Sequence, residues 1–354
     1  MARVATNKTL QQARKAKSDE FYTRLADVEK EMKHYRHHFK DKVVLCNCDD
    51  PRSSNFFHYF SYNFENLGLK KLVTACYKNQ NMDLFSQHDA EQAIYLDYDG
   101  DKNGNYVPDP EEIGINHFKG DGDFRSKESI ELLNQADIVV TNPPFSLFRE
   151  YIEQLIEYNK EFVIVGSFNA ITYKEIFKLI KEDKIWLGYG FKGGNAYFQT
   201  PYPNEFARGV YNEETGLVKF RNVTWYTNLD ISKRHENLLL YKTYNPDEYP
   251  SYDNYDAIEV SKTKDIPLDY DGAMGVPITF WDISNPEQFE IIKFRKGNDG
   301  KDLSINGKCP YFRIIIRNKR IQLKEERRQV VTRYKNNNNF RSKSNVTAQN
   351  KAGV

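Results

Sequence analysis

The sequence is poor in cysteine, with Cys46, Cys48, Cys76 and Cys309 as its only thiols among 354 residues. They are too few and too scattered for a disulfide framework. No Cys-x-x-Cys pair is matched by a second pair, which argues against the usual structural zinc sites. We therefore expect a protein without disulfides and without a bound metal.

Long apolar runs are also missing. No stretch approaches the roughly 18 apolar residues of a membrane-spanning helix. Residues 1–20 are polar and basic, and they lack the apolar middle region of a secretory signal. These absences predict a soluble, cytoplasmic protein that does not engage a membrane.

A strong excess of either charge is absent as well, since 51 Lys and Arg residues balance 50 Asp and Glu residues for a net charge of +1. A face that binds nucleic acid must therefore come from segregation of charges within the fold. The 24 tyrosines and 23 phenylalanines suit a surface that stacks on bases, although composition alone favours a tyrosine-rich core.

Short apolar runs alternate with helical segments between residues 41 and 200. This alternation indicates a mostly parallel sheet with helices on both faces, so we predict an α/β domain there. Buried-strand patterns occur at 42–48, 70–77, 137–141, 162–167 and 184–190, and helical periodicity occurs at 54–68, 126–136, 147–158 and 172–183.

The regions around this domain have a different texture. Residues 1–40 form an N-terminal arm in which 24–40 has helical spacing. Turn chemistry between short apolar stretches predicts a hairpin insertion within 78–118. Over 201–325 helical periodicity nearly vanishes, which predicts a second, irregular α+β region. Residues 326–354 are basic and contain an asparagine run, typical of a disordered tail.

The most informative segment is DIVVTNPPFS, residues 137–146, where a buried strand runs directly into Asn142, Pro143, Pro144 and Phe145. In an open α/β sheet, ligands bind beyond the carboxyl ends of the strands. Two prolines fix the backbone and remove two N–H donors, so carbonyl oxygens there can face outward. The segment therefore offers an amide oxygen, a carbonyl oxygen and an aromatic face.

Those three groups suit an exocyclic amine. Two acceptors can take hydrogen bonds from both N–H groups of an NH₂ group and turn its lone pair out of conjugation. The Phe145 ring can then stack on the base. Alignment and polarisation of this kind lower a barrier by about 7–11 kcal/mol, without a strong base or a metal. Adenine N6 and cytosine N4 pose the same problem, so these residues alone leave the choice of base open.

Two further segments suit a nucleotide-like cofactor. Asp49, Asp50 and Pro51 follow the strand at 42–48 and precede a helix, where α/β folds receive such cofactors, although the usual glycines are missing. Asp123 and Phe124 can accept from an adenine amine and pack against its ring. Taken alone, each segment is equally consistent with an ordinary turn.

Four segments in order, DEFYT, NCDDPRSSNFF, GDGDFRS and TNPPFSLF, resemble the motifs of EcoRI-type adenine-N6 DNA methyltransferases. KTKDIPLDYDGAMGVPITF and DLSINGKCPYFR also resemble that family, so the likeness covers nearly all of residues 1–325. It implies the Rossmann-like, mostly parallel sheet of S-adenosylmethionine-dependent methyltransferases, with a C-terminal target-recognition region.

The resemblance also implies roles for single residues. Arg52, Ser53 and Ser54 stand where the family has Gly-x-Gly, and Tyr77 stands where it often has an acidic residue, which leaves the methionine and ribose contacts unassigned. The implied catalytic residues are Asn142, Pro143, Pro144 and Phe145, and the implied cofactor-binding residues are Tyr22, Thr23, Asp49, Asp50, Pro51, Asp123 and Phe124.

By the same resemblance, the partner is double-stranded DNA carrying a short symmetric site such as GAATTC, read by a monomer of a restriction-modification system with a cognate endonuclease. The target base must be flipped out of the duplex. Recognition falls to residues 201–325, with Arg208, Arg221, Arg234 and Lys262 as candidates for base contacts.

Other functions stay open at this point. The cofactor motif without glycines is compatible with a DNA-binding homologue that has lost activity, and RNA or protein-glutamine methyltransferases share the Asn-Pro-Pro-Tyr chemistry. Cytosine C5 is less suitable, because that reaction needs a Pro-Cys nucleophile and the adjacent pair here, Cys309-Pro310, has the reverse order.

Overall fold

The structure is a computed structural model. The chain divides into two compact units, residues 1–233 and residues 234–354. The described residues are 22–48, 54–76, 93–191, 195–200, 210–295, 303–310 and 312–320.

The described residues form strands in both units, and the helices are short. The strands are β1 Tyr22–Thr23, β2 Val43–Asn47, β3 Lys71–Ala75, β4 Ile94–Tyr98, β5 Gly114–His117, β6 Ile138–Thr141, β7 Glu161–Ser167, β8 Trp186–Leu187, β9 Asn195–Gln199, β10 Tyr211–Asn212, β11 Leu217–Arg221, β12 Val223–Thr227, β13 Ile258–Glu259, β14 Met274–Pro277, β15 Phe289–Arg295 and β16 Arg313–Asn318. The α-helices are α1 Leu25–Met32, α2 Asn55–Tyr62, α3 Phe64–Leu67, α4 Lys127–Gln135, α5 Phe148–Glu157, α6 Lys174–Lys181 and α7 Ser232–His235. Short 3-10 helices span Arg36–His38, Phe168–Thr172, Thr263–Asp265 and Ile278–Ile283.

The first unit contains an eight-stranded sheet in the order β5-β4-β3-β2-β6-β7-β12-β8. Its four central strands, β3, β2, β6 and β7, are parallel. The outer strands pair antiparallel, including the predicted hairpin of β4 and β5. The sheet is therefore mixed, and the prediction of a mostly parallel sheet was wrong outside its centre. Burial alone does not show whether a strand runs parallel or antiparallel to its neighbours. Every residue of the antiparallel β12 is buried, and so is every residue of the parallel β6.

The core between the large sheet and the helices is rich in phenylalanine. In α2, Phe56 and Phe60 are fully buried in one apolar cluster with residues of β2 and β3. Each such side chain contributes about 1.5–3 kcal/mol through removal of its surface from water. The side chain of Ser54 caps α2 by accepting from the backbone N–H groups of Phe56 and Phe57, at 3.2 and 3.5 Å. The apolar cluster and the Ser54 cap together fix the start of α2.

A small antiparallel sheet in the same unit has the order β1-β9-β11-β10. Side chains along β9 and β11 alternate, so that Phe198 and Phe220 are buried while Tyr197 and Lys219 are half-buried on the other face. Strand β1 lies at the edge of this sheet, where Thr23 pairs with Phe198. The sheet therefore joins the start of the described chain to residues almost two hundred positions later.

Helix α1 is tied to the turn before β9 by a buried carboxylate. Glu31 is 1% exposed, and it accepts from the Tyr35 hydroxyl at 2.9 Å and from the backbone N–H groups of Tyr189 and Gly190 at 2.8 and 3.1 Å. Burial raises the pKa of Glu31 from 4.5 to about 7, against the opposing effect of those donors. Part of the carboxyl population is therefore protonated near neutral pH.

This raised pKa predicts a pH dependence of stability. Between 4.5 and about 7 the folded chain holds a proton on Glu31 that the unfolded chain has lost, so this residue makes stability fall as pH rises through that window. The slope is at most about 1.4 kcal/mol per pH unit. We expect urea unfolding to show this fall in the wild type and not in Glu31→Gln. Glu29→Gln, which changes an exposed residue of the same helix, should keep the wild-type slope. Equal slopes in all three proteins would contradict the assignment.

The second unit contains a four-stranded sheet in the order β13-β14-β16-β15, in which β13 and β14 are parallel and the other pairs antiparallel. Ile314, Ile315 and Ile316 of β16 are fully buried. A buried Glu259 accepts from the Arg313 guanidinium, with Nη2 at 2.6 Å. This sheet lies within residues 201–325, where the sequence predicts an irregular α+β region. No helix in the described part of the chain combines the length and apolar character needed to cross a bilayer.

Candidate active site

The site is built where the strand order of the large sheet reverses. From β2 the chain adds β3 on one side and later returns to add β6 on the other. The carboxyl ends of β2 and β6 are joined by a hydrogen bond from the Thr141 hydroxyl to the Asn47 carbonyl. Because crevices at such reversal points receive ligands in open α/β sheets, this edge is the candidate site.

The Asn-Pro-Pro-Phe segment leaves β6 at this edge. Asn142 is 6% exposed and Pro143 is also buried, while Phe145 is half-buried. The backbone then turns, since the Leu147 N–H donates to the Pro144 carbonyl at 2.9 Å, and α5 begins at Phe148. The segment is therefore held between a buried strand and a helix, which limits its freedom.

The ring of Phe145 is placed by the small sheet. Its centroid lies 6.3 Å from that of Phe198 in β9 and 6.3 Å from that of Phe220 in β11, both edge to face. Edge-to-face pairs at this distance are favourable and directional. Phe198 is also the register partner of Thr23, so β9 brings the N-terminal motif and the Asn-Pro-Pro-Phe segment together.

The side chain of Thr23 has a buried polar atom without a hydrogen-bond partner among the described residues. The residue is 1% exposed, and its Oγ1 has no hydrogen-bond partner among the residues that the structure describes. Its carbonyl accepts from Asn55 Nδ2 at 2.8 Å, which places Thr23 against the first residue of α2. An unsatisfied buried hydroxyl costs about 1–3 kcal/mol, so a ligand that supplies a partner here is favoured.

The loop at 121–125 lies against the end of β3. Gly122 has φ +75°, and a Cβ at this position would meet the Cys76 carbonyl oxygen at 2.3 Å and the Ala93 Cβ at 3.0 Å. Only glycine allows this approach without a shift of the backbone. The predicted Asp123 and Phe124 follow directly, so the close contact fixes where they stand.

Asp123 and Phe124 are held by Arg125 and α5. Arg125 donates from Nε and Nη2 to the Asp123 carboxylate at 2.8 and 2.7 Å, and this pairing lowers the pKa of Asp123. The Phe124 ring lies edge to face with Tyr151, centroids 5.1 Å apart, and the Phe124 carbonyl accepts from Gln154 Nε2 at 3.1 Å. The loop is thus anchored on the helix that follows the Asn-Pro-Pro-Phe segment.

Tyr151 also joins the loop to the end of β2, because its hydroxyl donates to Asn47 Oδ1. Burial raises the pKa of Tyr151 well above its usual value, so this hydroxyl keeps its proton. The sequence analysis missed Asn47, Tyr151 and Arg125. Tyr151 belongs to the apolar stripe of α5, and a polar tip on such a stripe is the signal that points to a buried hydrogen bond.

Some of the predicted site residues are neighbours of the same strand or loop, and others lie outside the described residues. Thr23 and Phe145 are both neighbours of Phe198 in β9. Asp123 and Phe124 follow Gly122, which lies against the end of β3, and Tyr22 is half-buried in β1. Among the candidates for base contacts, Arg221 and Lys262 are exposed and Arg234 is half-buried. The residues outside the described ranges are Asp49, Asp50, Pro51, Arg52, Ser53, Tyr77 and Arg208.

An α/β sheet with an Asn-Pro-Pro-Phe segment at its point of reversal defines the class of amino-group methyltransferases, and comparison with known proteins narrows this class. The family model "Adenine-specific methyltransferase EcoRI" matches residues 9–344. The chain is 57% identical over 328 residues to the Type II methyltransferase M.EcoRI of Escherichia coli, covering 91% of this chain and 100% of the relative. No solved structure matches the chain.

Two mycoplasma proteins are also similar. Identity is 38% to the Type II methyltransferase M.MgeORF184P of Mycoplasma genitalium, over 87% of this chain and 98% of the relative. It is 37% to the Type II methyltransferase M.MpnI of Mycoplasma pneumoniae, over 86% of this chain and 96% of the relative. The chain belongs to the EcoRI family of adenine-specific methyltransferases.

This membership confirms the predicted enzyme, a site-specific adenine DNA methyltransferase of a restriction-modification system. It also decides between the two exocyclic amines that the Asn-Pro-Pro-Phe segment leaves open. The chemistry of a methyl transfer to adenine is compatible with the buried, polar and aromatic groups at the ends of β2 and β6.

Proposed function

We propose that the enzyme transfers a methyl group from S-adenosylmethionine to N6 of an adenine flipped out of a short duplex site. The observation that carries this proposal is the position of Asn142 to Phe145, at the carboxyl end of β6 and beside the point where the strand order reverses. Cofactor and base then meet at one edge of a Rossmann-like sheet.

The residues around this edge fit the cofactor. The buried Thr23 Oγ1 suits the polar methionine end, and the glycine-only approach at Gly122 brings Asp123 and Phe124 to the adenine end. Tyr22 in β1 and, in sequence, Asp49 to Pro51 complete the set that would hold the molecule. When bound, S-adenosylmethionine supplies an electrophilic methyl group on a positively charged sulfur.

Asn142 and Phe145 act on the base. The Asn142 amide oxygen and the Pro143 carbonyl oxygen each accept a hydrogen bond from one N–H group of the target amine. These two hydrogen bonds turn the nitrogen lone pair out of conjugation with the ring. Phe145 stacks on the flipped base, with its own ring kept in place by Phe198 and Phe220. The rigid diproline backbone keeps the acceptors aligned, so catalysis relies on positioning and polarisation.

We assign the steps of recognition to separate parts of the chain. Residues 1–40 close over the cofactor, residues 41–200 form the catalytic domain, residues 201–325 read the DNA, and the tail at 326–354 has no catalytic role. The site that the family resemblance implies is GAATTC. We further propose that one monomer acts at a time in the cytoplasm and that a cognate endonuclease cuts the same site.

Methyl transfer from tritiated cofactor tests the proposal. A duplex with GAATTC should gain label in N6-methyladenine, and one changed base pair should lower the rate about 5- to 150-fold, since a mismatch costs about 1–3 kcal/mol. Label in N4-methylcytosine would contradict the assignment of the base. An enzyme that binds DNA but shows no cofactor binding by isothermal titration would instead be an inactive homologue.

A further inference from the structure

Arg125 touches both groups that the proposed function assigns to the cofactor's adenine. Its Nε and Nη2 atoms donate to Oδ1 and Oδ2 of Asp123 at 2.8 and 2.7 Å, and its backbone N–H donates to Oδ1 at 2.8 Å. Its guanidinium carbon lies 5.1 Å from the centroid of the Phe124 ring. The side chain is thus folded back over its two preceding neighbours.

The pairing leaves the Asp123 carboxylate partly available. A carboxylate has about four acceptor positions. Within the described residues Oδ1 takes two donors and Oδ2 takes one, so a further N–H can be accepted at Oδ2. Because two parallel N–H···O bonds fix both the torsion and the plane of the carboxylate, that last position has a defined direction.

Phe124 is held in a similar way. The guanidinium covers one face of the ring, and Tyr151 meets the ring edge to face, with centroids 5.1 Å apart. Phe124 is 8% exposed, so these contacts fix where the ring stands. A hydrogen-bond acceptor and an aromatic ring held side by side are the features that recognition of an aminopurine needs.

Arg125 is itself fixed by the helix after the Asn-Pro-Pro-Phe segment. Its Nη1 donates to Glu150 of α5 at 3.0 Å. The side chains of Arg125 and Glu150 are 52% and 55% exposed. An ion pair this exposed contributes at most about 1 kcal/mol to stability. Stabilisation of the fold therefore does not account for the hydrogen bonds of Arg125. A variant that lacks them should still fold, so its binding can be measured.

We propose that Arg125 is a positioning residue for recognition of the cofactor's 6-amino group, because it orients the Asp123 carboxylate and the Phe124 ring. This inference rests on the proposed function, in which these two residues bind the adenine. Arg125 touches no reacting atom, so it acts on cofactor binding and selectivity rather than on methyl transfer itself.

Isothermal titration of the full-length enzyme with S-adenosylhomocysteine and its deaminated analogue, S-inosylhomocysteine, tests the proposal. Arg125→Ala should weaken binding of the adenosine form about tenfold, as expected for the loss of a charge-assisted pair. The inosine form, which has no amine to donate, should change much less, so the preference between the two falls. Arg125→Lys keeps the charge without the fork and should lie between. At saturating cofactor, kcat should stay within about twofold of wild type, with the loss confined to KM.

Arg149→Ala is the matched control. Arg149 is an exposed arginine of α5 next to Glu150, and its guanidinium lies over Tyr173. It should bind both ligands like the wild type. An unchanged preference in Arg125→Ala and Arg125→Lys would overturn the inference, and so would tighter binding, which would mean that Arg125 competes with the cofactor. Failure of the wild type to bind either ligand would overturn the proposed function instead.

Discussion

The Asn142→Ala variant is expected to lose at least about a hundredfold in kcat while binding DNA and cofactor nearly as tightly as the wild type. Removal of one preorganised polar group that acts on developing charge costs about 10²–10³ in rate. The amide oxygen does most for the transition state, in which the amine nitrogen becomes positive and its N–H bonds donate more strongly. Asn142 is 6% exposed at the end of a buried strand, so water does not readily replace it.

Single-turnover methylation of a duplex, with tritiated cofactor at saturation, measures this effect directly. Asn134→Ala is the control, because Asn134 is an exposed asparagine of α4. It should react like the wild type. Retention of more than about a tenth of the rate in Asn142→Ala, equivalent to a loss below about 1.4 kcal/mol, would remove Asn142 from the proposed catalytic role. A parallel loss of DNA binding would point to a recognition role instead.

Gly122→Ala should have the second-largest effect, a loss of cofactor affinity of at least about tenfold. The new Cβ would lie 2.3 Å from the Cys76 carbonyl oxygen, and the φ of +75° is itself strained for alanine. A backbone oxygen cannot move aside like the end of a flexible side chain. The loop must therefore shift, and Asp123 and Phe124 shift with it.

Gly120→Ala, two residues before Gly122, provides a control. Its Cβ would meet Glu128 Oε2 at 3.4 Å, an ordinary contact, and Gly120 does not have a positive φ. Isothermal titration with S-adenosylhomocysteine should give wild-type affinity for this variant. Wild-type affinity in Gly122→Ala as well would mean that the loop at 121–125 takes no part in cofactor binding. Thermal unfolding of both variants separates a local shift from general loss of structure.

Much of the first unit could be predicted from local patterns. The run at 137–141 became the buried β6, and the helical periodicity at 147–158 became α5. The predicted helix at 54–68 is two helices, separated at Asn63, whose φ of −108° and ψ of 12° depart from helical values. The Tyr59 carbonyl accepts from both the backbone N–H and the side chain of Asn63, at 3.2 and 2.8 Å. Asparagine readily forms such local hydrogen bonds, but its position in the sequence does not show whether the helix will be interrupted there.

Those local patterns could not predict the direction of each strand or which strands pair with each other. The predicted α/β domain ends at residue 200, yet β12, at Val223–Thr227, inserts between β7 and β8 in the large sheet. Its sequence, VTWYT, mixes polar and apolar residues, but all five residues are buried. Burial on both faces depends on which elements cover the strand, and no local sequence feature contains that information.

The order of residues by itself determined the chemistry available to this protein, since an Asn-Pro-Pro-Phe segment after a buried strand supplies acceptors and a ring wherever the strand is placed. Only the tertiary structure decided which distant groups serve that segment. Phe198 links Thr23 to Phe145, and Tyr151 links Asn47 to Phe124. The physical reason is that side-chain type and spacing are short-range properties of the chain, whereas these contacts arise from strand register and helix packing between segments far apart in sequence.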